Sequence, residues 1–141
     1  MGTDTTMLWL ASLELPKLEA CVELMFWTAY ADGRVSPEER AVFAEHVRRS
    51  TGGQLGPELV QAVIAGVEEA MRTADRNARV ASIASVLTEP RVRSAALSLA
   101  VSVALADRTL SRDEIVFLHQ AGAAFGFSGD EVGKLVADAS R

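Results

Sequence analysis

Apolar residues recur three and four positions apart along almost every segment of the chain. β-Branched residues are scattered and alternation with a period of two is absent, so the expected class is all-α. Leu15-Pro16 opens a long helical pattern in which Leu18, Val22, Met25, Phe26 and Ala29 line one stripe, and Asp32-Gly33 ends it. The next start is Ser36-Pro37-Glu38-Glu39, with serine as N-cap, proline in the first helical position and Glu39 in the third; Thr51-Gly52-Gly53 is its stop. Gly56-Pro57-Glu58 opens a third helix running to about Thr73, with Leu59, Val63, Ile64 and Val67 on one face, and Asp75 caps a fourth that ends near Leu87. The fifth, from Pro90 to Asp107, is apolar nearly all round in its second half, the pattern of a helix wrapped by others. Ser111-Arg112-Asp113-Glu114 and Ser128-Gly129-Asp130-Glu131 are two more capping signatures, for helices ending near Gly126 and Ser140. The expected fold is a compact bundle of about seven helices, and the 141 residues read as one domain behind a short amino-terminal segment, because no Pro-, Ser- or Gly-rich linker interrupts them.

The chain repeats itself once. At an offset of 75, Ala29-Tyr30-Ala31-Asp32-Gly33-Arg34-Val35-Ser36-Pro37-Glu38-Glu39 lies over Ala104-Leu105-Ala106-Asp107-Arg108-Thr109-Leu110-Ser111-Arg112-Asp113-Glu114. In both copies an apolar helix ends in Ala-x-Ala-Asp, a serine caps the next helix and a glutamate follows the aspartate by seven positions. Each copy is a helix–turn–helix hairpin, and the pair predicts a pseudo-two-fold bundle with the helices ending at Asp32 and Asp107 as its core.

This pattern, A-x-A-D-G-x-(V/L)-S-x-x-E between two helices and repeated in weaker form, resembles the tellurite-resistance TerB family, whose domain type also forms the amino-terminal part of DjlA-type co-chaperones. No J-domain sequence is found in this chain. The resemblance covers about Leu15 to Ala137 and implies an all-helical fold, no enzymatic activity, a link to metal-oxyanion or general stress responses, and acidic clusters that bind divalent cations. The matching acidic positions are Asp32 and Glu39 in the first turn and Asp107 and Glu114 in the second. One departure is Arg108, where the family prefers glycine; it sets a positive charge beside Asp107.

The chemistry of these turns has two readings. Asp32, Gly33, Ser36 and Glu39 match the second half of an EF-hand loop, but Thr28 and Tyr30 occupy the first two ligand places, which excludes a standard EF-hand. Four carboxylates converging from both turns would suit a hard cation, Ca²⁺ or Mg²⁺ rather than Zn²⁺. The other reading is structural: Glu39 and Glu114 stand where capping-box glutamates stand, as does Glu131, which has no repeat partner. Capping explains the serines and glutamates better than the aspartates, since an acid at a helix C-terminus opposes the macrodipole.

Composition narrows the classes further. Fourteen Lys and Arg against nineteen Asp and Glu give a net charge of −5, the wrong sign for a nucleic-acid binder. Cys21 is the single cysteine, expected as an inert core thiol, so disulfides and multi-cysteine zinc sites are excluded and a cytoplasmic setting is expected. The apolar patch at residues 7–13 lacks a signal peptide's flanks, and no stretch has the length of a transmembrane helix. His46 and His119 fit no catalytic or paired-ligand spacing and read as surface or helix-face residues; no nucleophile motif or phosphate loop is present. Phe26, Trp27 and Tyr30 read as core, with a partner groove as the alternative. Arg72, Arg76, Arg79, Arg91 and Arg93 make a locally basic segment, ordinarily a solvated face, and the dock for an acidic partner or membrane-bound complex if the chain is a metal-free interaction module. Gly66, Gly122 and Gly133 inside helical patterns predict close helix approaches.

Overall fold

A computed structural model describes residues 13–30, 35–73, 75–105 and 110–139. Among them are seven helices and no strand: α1 (Leu15–Ala29), α2 (Pro37–Ser50), α3 (Pro57–Thr73), α4 (Arg76–Val86), α5 (Pro90–Ala104), α6 (Arg112–Ala124) and α7 (Gly129–Ala139). The expected all-α bundle is what forms. No helix among the described residues is long and apolar enough to cross a membrane.

The local signals act as the chain chemistry requires. Ser36, Ser111 and Ser128 each accept from the amide three residues on, at 3.1 Å, and Glu39, Glu114 and Glu131 each return a carboxylate oxygen to the serine's own amide at 2.7–2.8 Å. Two otherwise orphaned donors are thereby satisfied at each start. Asp75 caps α4 by accepting from Ala78 N at 2.7 Å. After α6 the chain turns through Gly126 at φ 89°, where Phe127 N donates to Gly122 O at 2.8 Å and Gly126 N to Ala123 O at 3.0 Å, a Schellman closure that needs a left-handed residue. Gly122 lies one turn earlier, and a side chain there would run into Val132 Cγ2 of α7. The close approach expected at Gly122 is therefore present, whereas Gly66 and Gly133 face open space, because both sit on the outer faces of their helices.

The α1–α5 pair makes the most extensive helix contact. The apolar pattern singled out α5 as the wrapped helix, and α1 shares that place: every residue from Ala20 to Ala29 is buried. Around the pair, contacts come in matched sets. The helix α3 touches both α1 and α2 as α7 touches both α5 and α6, and α1 meets α6 as α5 meets α2. The fourth helix has no counterpart and packs on α1 and α6, with a smaller contact to α3. The core is centred on Phe26, Phe43 and Phe117, all with at most 1% exposure, and Phe26 meets Phe43 edge-on at 5.2 Å.

Candidate functional site

The two repeated turns join α1 to α2 and α5 to α6. Asp32 and Asp107 lie outside the described residues, whereas Glu39, Glu114 and the helix ends around them lie within. Glu39 is exposed and Glu114 is only 2% exposed, although both perform the same capping function. The first hairpin has an additional tie: the Tyr30 hydroxyl donates to the backbone carbonyl of Glu39 at 3.1 Å. The repeat puts Leu105 in Tyr30's place, which leaves the second hairpin without that bond. Trp27, near the end of α1, stacks on Phe117 in the first half of α6 with centroids 6.2 Å apart. The carboxyl end of α1 and the amino-terminal half of α6 therefore occupy the same end of the bundle. Among the described residues, no group of three or more His, Cys, Asp or Glu side chains is arranged to hold a metal ion.

Other candidates resolve into packing. Cys21 is fully buried, and burial pushes its thiol up to about 12, which suits an inert core thiol. Phe26, Trp27 and Tyr30 belong to the core cluster or pack against it, as the ordinary reading expected. His119 is exposed, whereas His46, read as a surface or helix-face residue, falls within the buried set at 9% exposure because α2 packs against both α3 and α5.

The basic segment proves to be divided in function. Arg93 donates to Leu87 O, to Ala84 O at 2.8 Å and to Phe125 O at 3.0 Å, and its guanidinium lies 5.2 Å from the Phe125 ring. One cation thus serves the carboxyl ends of both α4 and α6, where the helix dipoles favour it. Arg79 forms a bidentate pair with Glu23 of α1, at 2.8 and 2.7 Å, and Trp27 Nε1 donates to the same carboxylate at 3.1 Å. The hydrogen bond to Glu23 raises the Arg79 guanidinium further, against the burial that opposes it. Arg72 pairs with Glu69 at the surface, and Arg76 sits over Phe117 at 5.8 Å. The five arginines do not form one solvated face, because Arg79 and Arg93 are committed to internal partners. Sequence reasoning passed over Glu23, and the signal was there: a lone carboxylate inside an apolar stripe requires a partner.

Beside the Glu23–Arg79 pair, α1, α3 and α4 enclose an open groove of about 310 Å³.

The family model described as tellurite resistance protein TerB matches residues 17–137. No curated protein and no solved structure gives a significant match.

Proposed function

The chain belongs to the TerB family, and from that premise we propose that it is a non-enzymatic, cytoplasmic, cation-responsive domain acting in tellurite or related stress responses. Asp32, Glu39, Asp107 and Glu114 would supply the carboxylates of a weak Ca²⁺ or Mg²⁺ site at the two turns. The observation that carries the reading is the Trp27–Phe117 stack, which brings the last turn of α1 against the first half of α6 and so supports a site shared between the turns. The capping boxes also support it. Each glutamate is oriented by the serine amide it accepts from, and a carboxylate whose direction is already fixed loses less freedom on binding a cation. Hard oxygen ligands without a thiol favour Ca²⁺ or Mg²⁺ over Zn²⁺. Such a domain would report on its cation to a protein partner.

The experiment is thermal unfolding of chelator-treated protein with and without millimolar Ca²⁺, Mg²⁺ or Zn²⁺, beside an Asp32→Ala/Asp107→Ala variant. A cation at about 100 times its dissociation constant stabilises the folded state by about 2.7 kcal/mol. At about 3 °C per kcal/mol for a chain of this length, the midpoint should rise by about 8 °C and the variant should lose the rise. Equal midpoints with and without metal would leave the four acids as caps and turn residues, and the reading would fail.

A further inference from the structure

The groove between α1, α3 and α4 has a composition that packing alone does not account for. It is lined by the Glu23–Arg79 pair and by apolar side chains such as Val63, Val67 and Ile83, and on the α3 side by Gly66, where a Cβ would meet nothing within 4 Å. At about 310 Å³ it stands at the lower limit of small-molecule sites. Two polar groups line it from one face of α4. Arg79 spends Nε and Nη2 on Glu23, leaving Nη1 without a hydrogen-bond partner among the described residues, and its side chain remains 26% exposed. The Ser82 hydroxyl, one turn on, likewise has no partner among them. Both can donate.

Charge decides what they can donate to. Glu23 already neutralises Arg79, and Glu19 on the α1 rim carries a second carboxylate, so the lining is net negative and disfavours an anion. Glu19 itself is exposed and screened by solvent, which gives a cation little to hold. The groove also runs only from Pro16 to Glu23 along α1, about 10 Å at 1.5 Å per residue, far from the roughly 800 Å² that a stable protein partner covers on each side. We propose that this groove binds a small uncharged amphiphile, with an apolar body against Val63, Val67 and Ile83 and one hydrogen-bond acceptor at Arg79 and Ser82.

The test is an NMR titration of the full chain with octanamide, octanoate and octylamine, following the Val63, Val67 and Ile83 methyls. Octanamide should give saturable shifts at these methyls and bind at least tenfold more tightly than the two charged probes. Gly66→Leu should weaken octanamide at least tenfold by filling the groove, and Ser82→Ala should weaken it several-fold. Gly66 is an exposed helical position, so the leucine variant should keep its helix content and melt no lower than the parent chain; Ala62→Leu on the same rim gives a second block. The proposal is overturned by absence of saturable shifts with octanamide, by a charged probe that binds as well or better, or by binding that survives both groove-filling variants.

Discussion

Glu23 lies in the core at 4% exposure, and three donor nitrogens, two from Arg79 and one from Trp27, converge on its carboxylate. Removing one partner of such a pair strands the other. Glu23→Ala should lower unfolding free energy by about 3 kcal/mol in urea denaturation, and a double Glu23→Met/Arg79→Met variant should recover much of that loss. Cys21 makes a second residue-scale prediction. Its folded-state pKa of about 12 lies above the unfolded value of about 8.5, so the stability held by the neutral thiol is fully present below about 8.5 and is lost as pH rises towards 12. At pH 8, maleimide labelling of Cys21 should therefore proceed only at the rate of global opening; fast labelling of the native protein would contradict the burial. Both residues were half legible in the sequence. A carboxylate in an apolar stripe announces a partner, but not that the partner stands 56 residues further on. Arg93 gives the same lesson: a cation in the first turn of α5 opposes its own helix dipole, which is a signal of use elsewhere, while the carbonyls it serves belong to two other helix ends.

At the scale of the helix, three glycines that look alike in sequence have different neighbours. Gly66→Ala should raise stability by about 1 kcal/mol, the helix-propensity gain at an open position, whereas Gly122→Ala should lower it by about 2 kcal/mol because the methyl meets Val132. Thermal midpoints of the two variants, moving in opposite directions, check this. Periodicity alone could not have separated them, since it identifies a helix but not which of its outer faces another helix covers. The starts were more legible: Ser36, Ser111 and Ser128 cap where the pattern places them, because capping depends on atoms only three residues apart. Of the turn acids, capping by Glu39 and Glu114 was readable on the same local grounds. Their difference in exposure was not, since it depends on what the rest of the bundle lays over each helix.

Across the whole molecule, the α1–α5 pair ties both sets of three helices to a common core, so unfolding should be a single cooperative event. In a Trp9→Phe chain, where Trp27 is the remaining tryptophan, fluorescence and far-ultraviolet circular dichroism should give coincident urea transitions; separated curves would mean that the two halves fold independently. The matched contacts carry a consequence for symmetry. When α1 meets α5, and α1 meets α6 as α5 meets α2, the two halves face each other as the subunits of a symmetric homodimer do. A three-helix unit paired with its own copy would show this same arrangement, with α4 as the joint between the halves. Covalent joining releases a constraint that a homodimer cannot escape, since a substitution there is inherited at both sites at once. In a single chain the halves are free to differ, and here one holds Tyr30 and Gly33 where the other holds Leu105 and Arg108.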